Sequence, residues 1–282
     1  MDSKERDFLK KDKHWNLLPE IMEDHKDSIR LAIEKLKQKR VKENFIDSTY
    51  SSISSSYAEL AMCELLLHGD VSKSKQYFYQ AAVLRMFLLR AFDEKTMIVN
   101  KSYVSMSNFQ KLFWAILSDN EELIVSFAQE LGGRPEVEHE YGHPFSNHLG
   151  YALKFLILHD ENQADKHIKP LLHLESLDVQ EEDEQVDAEL HSGFGIVLNG
   201  IVKGDANQVE NGLLELLKAH RKNPEYHQSP EQYFAVEVLA LAKLAKRYGL
   251  TVDLDDPLAP KEMLEHHEID YPEMEFFPDQ LQ

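Results

Sequence analysis

Apolar residues recur along most of the chain at the three- and four-residue spacing of a helix that buries one face. Four of these runs end in a short polar turn, and a second helical run follows directly. The turns are His68-Gly69-Asp70, Ser118-Asp119-Asn120, His159-Asp160-Glu161 and Lys203-Gly204-Asp205. In each turn a Gly, Asp or Asn can end the first helix, and an Asp or Asn can cap the next. The pattern therefore predicts four helical hairpins.

The spacing of these turns predicts how the hairpins are arranged. From Asp70 to Asp119, Asp160 and Asp205 the intervals are 41 to 49 residues, which suits stacked two-helix units. A further helix is expected over SPEQYFAVEVLALAKLAKRYG, from a Ser229 cap to Gly249. The alternating stretch LTVDLD is too short to predict a sheet. We therefore predict an all-α, α-solenoid-like fold of stacked helical hairpins in a single globular body.

The regions on either side of the hairpins predict the domain limits. The segment WNLLPEIMEDHKDSIRLAIEKLKQKRVKEN reads as one amphipathic helix after Pro19. The stretch STYSSISSSY favours a helix start over a linker, because Ile53 and Tyr57 keep helical spacing. The end of the chain is acidic and rich in proline. We predict an N-terminal helical segment at 1–48, a domain of stacked hairpins at 49–265 and an acidic irregular tail at 266–282.

Composition indicates a globular protein with a large core. The chain has 282 residues, 43% of them hydrophobic, and a single cysteine. Cys63 lies in an apolar helical run, which predicts a core residue, and the same spacing predicts burial of Phe113, Trp114, Leu241 and Leu244. One cysteine allows no intrachain disulfide, and the charged first residues do not resemble a signal peptide. We therefore expect a cytoplasmic protein.

The charge distribution indicates which kinds of partner the protein can bind. The formal net charge is -19, from 50 acidic and 31 basic residues, which argues against binding nucleic acid or an anionic membrane. Such a charge favours a basic partner, or serves solubility alone. Residues 175–191 hold eight carboxylates and no Lys or Arg, in a connection or a solvated helix face whose order is left open. The candidate partner-binding residues are Glu181, Glu182, Asp183, Glu184 and Asp187.

The stretch HEYGH matches the H-E-x-x-H pattern of zinc proteases. In that pattern a helix places two ligands, here His139 and His143, on one face, with Glu140 as general base. Pro144 disfavours helical backbone at the residue before it, and Gly142 weakens a helix. We therefore expect a polar loop between the second and third hairpins, with no metal, no cofactor and no catalytic residues.

Three stretches of the chain resemble the immunity protein 49 family of bacterial polymorphic toxin systems. They are LFWAILSDNEELI, IVLNGIVKGDANQVENGLLELLKAHRKNPE and EVLALAKLAKRYGLTVDLDDPLAPKEML, and the resemblance covers about residues 50–265. It implies an all-helical fold without enzymatic activity. It also implies a protein that the producing cell makes to bind and block its own or a sibling's toxin. No catalytic residue and no binding motif transfers.

Three hypotheses of function follow. The first is an immunity protein that blocks a cognate, basic protein toxin, with a nuclease as the candidate toxin. The second is a helical-repeat scaffold of the tetratricopeptide kind, although the hairpin spacing exceeds that repeat's length of about 34 residues. The third is a zinc hydrolase that uses His139, Glu140 and His143. The oligomeric state, the toxin's activity and the docking surface stay open.

Overall fold

The computed structural model of the protein describes residues 9–173 and 192–274. Within these ranges the chain forms 11 α-helices and no strand, which confirms the all-α prediction. The helices are α1 (Leu18–Lys37), α2 (Ile46–His68), α3 (Val71–Asp93), α4 (Lys111–Ser118), α5 (Glu121–Glu130), α6 (Pro135–Tyr141), α7 (Pro144–Ile157), α8 (Glu161–Leu172), α9 (Gly193–Lys203), α10 (Ala206–Lys222) and α11 (Val236–Arg247). Short 3-10 turns connect several of them.

The four predicted hairpin turns form, and they share one backbone arrangement. In each turn one residue has a left-handed backbone and the next residue caps the following helix. The left-handed residues are Gly69, Asp119, His159 and Gly204. The capping residues are Asp70, Asn120, Asp160 and Asp205, whose side chains accept a hydrogen bond from the backbone N–H three residues later. Each turn thus ends one helix and starts its neighbour, giving the hairpins α2–α3, α4–α5, α7–α8 and α9–α10.

The N-terminal helix is shorter than predicted. It ends at Lys37, because Lys39 adopts a left-handed backbone and the chain reverses there. Its apolar face packs against α2. Helix α2 begins at Ile46, so the serine-rich stretch is helical as predicted, and Ser54 Oγ donates to the Ala81 carbonyl of α3 at 2.7 Å. The domain limit proposed at residues 48 and 49 lies inside α2 and stays a prediction.

The expected single helix from Ser229 to Gly249 is wrong in its first part. Pro230–Tyr233 forms a 3-10 turn, Phe234 is extended, and α11 starts only at Val236. The interruption has a tertiary cause, since the Ala235 N–H donates to the Leu258 carbonyl at 2.8 Å instead of to a helical partner. From Val236 to Ala245 every residue of α11 is buried. The helix therefore forms the centre of the core.

The predicted core residues are buried. Phe113 and Trp114 lie on α4, Leu241 and Leu244 on α11, and Cys63 on α2, and each is at most 8% exposed. Helix α4 packs against both α3 and α11. The buried apolar residues form one continuous cluster that reaches from the N-terminal turn to the segment after α11.

A buried ion cluster joins the α4–α5 turn to two other helices. The carboxylate of Asp119 binds Lys75 Nζ of α3 and, at 2.5 Å, Lys243 Nζ of α11. The three side chains are 4%, 0% and 8% exposed, respectively. Burial and the neighbouring Lys243 charge lower the pKa of Lys75 to about 8, although Asp119 opposes this shift. The carboxylate therefore compensates two ammonium groups that are almost entirely buried.

The C-terminal strap, residues 263–274, closes over this cluster. Its backbone carbonyls accept hydrogen bonds from the buried lysines, from Lys75 to Glu265 at 2.6 Å and from Lys243 to Met263 at 3.1 Å. The hydroxyl of Tyr271 donates to the Ser118 carbonyl at 2.6 Å. Beyond the 3-10 turn that ends at Leu264, the strap is irregular. The described part of the predicted tail therefore packs on the body, while the tail's definition as a separate unit stays a prediction.

We expect Asp119→Asn to lower the free energy of unfolding by about 3–5 kcal/mol, because it leaves two buried ammonium groups without a counter-charge. Asparagine keeps the size of the side chain and tolerates the left-handed backbone, so only the charge changes. Urea unfolding followed by circular dichroism measures the loss.

The matched control is Asp160→Asn, at a helix cap in another hairpin turn. Asparagine caps as well as aspartate, so this variant should change stability by less than about 0.5 kcal/mol. Equal losses in the two variants would contradict the role given to the Asp119 charge.

Candidate functional site

The structure does not place the two histidines of HEYGH on one helical face. Helix α6 ends at Tyr141, and both Gly142 and His143 have extended backbone. The expected polar loop is wrong for Pro135–Tyr141, which is helical, because Pro135 occupies a favourable first position. Glu140 binds Lys101 Nζ at 2.9 Å on the surface. Over residues 9–173 and 192–274, no group of three or more His, Cys, Asp or Glu is placed to hold a metal ion.

The five predicted partner-binding residues, Glu181, Glu182, Asp183, Glu184 and Asp187, lie outside the described residues. The segment that contains them connects α8 to α9. The described chain resumes at Ser192, two residues before Phe194. The residues around Phe194 are therefore the part of the described structure that comes next in sequence after the acidic segment.

Phe194 lines a cavity of about 220 Å³ between the start of α4, the start of α9 and residues 225–237. We call this space the aromatic cavity. Its aromatic walls include Phe113, Trp114 and Phe194, and its acidic side chains are Glu225, Glu231 and Glu237. Glu225 is exposed, Glu231 is partly buried and Glu237 is buried, so the carboxylates lead from the surface inwards.

The aromatic walls are ordered by packing between two helices. Phe113 of α4 and Phe194 of α9 lie parallel, with ring centroids 6.3 Å apart and planes 5° apart. Phe109, one helical turn before Phe113, meets it edge to face at 5.9 Å. Because these rings also belong to the core, their positions are held by the fold.

The cavity already contains a cation of the chain. Lys111 Nζ lies 4.3 Å from the centroid of the Trp114 ring, within the range of a cation–π interaction. Burial, with the nearby Arg85 charge, lowers the pKa of Lys111 to about 8, while Glu231 and Glu59 oppose the shift. The space beside Trp114 therefore accommodates a positive charge, at an energetic cost that the carboxylates partly offset.

A buried histidine orders the inner carboxylate. His220 Nδ1 lies 2.9 Å from Glu237 Oε1, and His220 Nε2 donates to the Glu231 carbonyl at 2.7 Å. Burial alone lowers the pKa of His220, but the hydrogen bond and charge of Glu237 outweigh it, so the pKa is raised. The ring also packs on Tyr226, with centroids 4.5 Å apart. The acidic wall is thus built into the fold.

Two further ionisable groups, Glu59 and Arg85, lie close enough to Lys111 to affect its pKa. Burial, and then the charge of Glu231, raise the pKa of Glu59 to about 9, so this carboxyl is protonated at neutral pH. Burial lowers the pKa of Arg85 to about 10, which leaves it a cation. Within the described part of the chain, Arg85 Nε and Nη1 have no hydrogen-bond partner. Burying Glu59 and Arg85 therefore costs folding free energy. Such buried ionisable groups are common at functional sites.

Two larger cavities lie among the described residues, and each has cations that are paired with carboxylates of the chain. One, of about 460 Å³, lies beside the Asp119 cluster, where Lys243 binds Asp119 and Arg247 binds Glu121. The other, of about 410 Å³, lies between the N-terminal turn and His220, and its residue Arg221 binds Asp256. The aromatic cavity differs from both because its carboxylates outnumber its cations.

Glu59→Gln should raise stability at alkaline pH. The folded pKa of about 9 lies above the ordinary value of 4.5, so the unfolded chain loses this proton first as the pH rises. The stability that protonated Glu59 contributes is present below pH 4.5 and is lost as the pH rises towards 9. Glutamine cannot ionise, so we expect the variant to exceed the wild type by about 2 kcal/mol at pH 8 and to match it at pH 4. Urea unfolding at both pH values measures the gap.

Glu64→Gln changes the same charge on the same helix and serves as the control. If Glu64→Gln differs from the wild type in unfolding free energy by the same amount and with the same pH dependence, burial of Glu59 is not the cause of the stability difference.

We expect HEYGH to bind no zinc, since the extended backbone at Gly142 and His143 breaks the required helical spacing. Metal analysis of protein purified in the presence of zinc checks this. Stoichiometric zinc that disappears on changing both His139 and His143 to Ala would overturn the prediction.

None of the described helices has the length and apolar character needed to cross a membrane. No curated protein and no solved structure matches the chain. The sequence model described as Immunity protein 49 matches residues 68–263, which is more than half of the chain. The matched range contains α3, the three hairpins α4–α5, α7–α8 and α9–α10, the Asp119 cluster and every residue that lines the aromatic cavity. The chain therefore belongs to the immunity protein 49 family, and it is an immunity protein of a polymorphic toxin system.

Proposed function

We propose that this protein binds a cognate protein toxin and neutralises it by non-catalytic blocking. The family match over residues 68–263 is the observation that carries the proposal. An all-helical body with one continuous core supports it, because a folded surface binds a partner at a smaller ordering cost than a disordered segment does. A stack of helical hairpins would also suit a protein-interaction scaffold. Sequencing of the genomic neighbourhood separates the two functions, because a toxin gene directly upstream would support immunity. A cytoplasmic location stays a prediction.

We further propose that the toxin is basic and that the acidic segment makes the first contact. The net charge of -19 and the eight carboxylates of residues 175–191 support this proposal. A nuclease is the candidate toxin, since a cleft that attracts phosphates would also attract a cluster of carboxylates. Complementary charge of this kind acts mainly on the rate of association.

Replacing Glu181, Glu182, Asp183, Glu184 and Asp187 by Ser should slow association with the cognate toxin. We expect a decrease of about tenfold at low salt and a flatter dependence of the rate on ionic strength. Stopped-flow mixing with catalytically inactive toxin measures both quantities.

The control variant removes five exposed carboxylates of α1 by the same change to Ser: Glu20, Glu23, Asp24, Asp27 and Glu34. Equal slowing in both variants would mean that net charge alone steers the toxin. Unchanged association in the first variant would remove the acidic segment from the proposal.

A further inference from the structure

We propose that the aromatic cavity receives an arginine side chain of the cognate toxin. The inference rests on the proposed function and assigns an anchoring site to it. A residue that fills a pocket at the centre of an interface often carries much of the binding energy, and arginine is enriched among such residues. The cavity then acts as the anchor, and the acidic segment as the steering element.

The size of the cavity suits one side chain. Clefts that hold drug-sized ligands have about 300–1,000 Å³, whereas the aromatic cavity has about 220 Å³. A long, thin occupant with a planar end fits such a space better than a cofactor does. The cavity also reaches the surface, because Glu225 at its edge is exposed.

The walls suit a guanidinium group in particular. A guanidinium is planar, stacks on aromatic faces and donates five N–H bonds in a fixed fork. The cavity is lined by the aromatic rings of Phe113, Trp114 and Phe194 and by the carboxylates of Glu225 and Glu231. An ammonium group has neither the planar face nor the fork, so arginine should be preferred over lysine.

The charge balance of the cavity favours an added cation. Because His220 pairs with the innermost carboxylate, Glu237, two carboxylates, Glu225 and Glu231, remain against the single ammonium of Lys111. The position of Lys111 over Trp114 shows that a cation can lie against this aromatic surface. Lys111 would also repel an incoming guanidinium, so its removal should strengthen binding.

The first experiment uses N-acetylarginine amide as the probe. The chain has two tryptophans, so the two indole N–H signals in a ¹H–¹⁵N NMR spectrum can be assigned with Trp15→Phe. We expect the probe to shift the Trp114 signal with a dissociation constant on the order of 1 mM, as suits a ligand of this size. The lysine analogue acetylated at Nα, which keeps its free ammonium group, should bind more weakly. The neutral isostere Nα-acetylcitrulline amide should not shift the signal.

Two charge variants then give effects of opposite sign. Both are made in the Glu59→Gln background, so that Glu59 cannot ionise in place of a lost carboxylate. Glu225→Gln with Glu231→Gln should weaken probe binding by about tenfold, and Lys111→Met should strengthen it severalfold. Glu20→Gln with Glu34→Gln, two exposed carboxylates of α1, should leave binding unchanged. Thermal unfolding by circular dichroism confirms that each variant is folded.

The second experiment measures the affinity of the same variants for a catalytically inactive form of the cognate toxin. The inference predicts the same order of affinities as for the probe, with the largest loss in the Glu225 and Glu231 variant. Toxin binding that is tight and equal in all variants would overturn the inference and leave the proposed function standing. If the probe binds but the toxin does not, the result would overturn both the proposed function and the assignment of a toxin arginine to the cavity. If N-acetylarginine amide does not shift the Trp114 signal, the result would overturn the assignment of the cavity as an arginine site.

Discussion

The fold depends on a single carboxylate. Asp119 lies between the ammonium groups of Lys75 and Lys243, and removing each ammonium from water costs several kcal/mol unless a counter-charge compensates it. The carboxylate reaches both lysines because Asp119 has a left-handed backbone at the tip of the α4–α5 turn. The conformation of one turn residue is therefore coupled to the packing of α3 and α11. The C-terminal strap supplies the other acceptors: the Glu265 carbonyl and His267 Nδ1 for Lys75, and the Met263 carbonyl for Lys243.

The hairpins could be predicted because their signal is local. A turn such as Lys203-Gly204-Asp205 contains both the residue that ends one helix and the cap that starts the next. The break before α11 could not be predicted in this way. It depends on the bond from Ala235 to Leu258, and a pattern of neighbouring residues carries no information about such a partner.

The aromatic cavity was missed for the same reason, since Lys111, Phe194 and Glu231 meet only in the folded chain. One signal was nevertheless present. The apolar stretch of α11 is interrupted by Glu237 and Lys243, and both prove to be buried and paired, with His220 and Asp119. An isolated charge in a central apolar helix thus indicates an internal partner. The sequence could not identify those partners, because they lie 17 residues away for Glu237 and farther for Lys243.

The strap has a consequence for protein synthesis. Lys75 finds its carboxylate 44 residues later in the chain, but its carbonyl partner, Glu265, follows only after 190 residues. A ribosome adds about 5–20 residues per second, so a gap on the order of 10–40 s separates α3 from the strap that completes its surroundings. During that interval Lys75 has been synthesised, but the Glu265 carbonyl that will accept its hydrogen bond has not. Folding of this region is complete only after the strap has been made, so a chain that terminates before the strap would expose this charged centre to water.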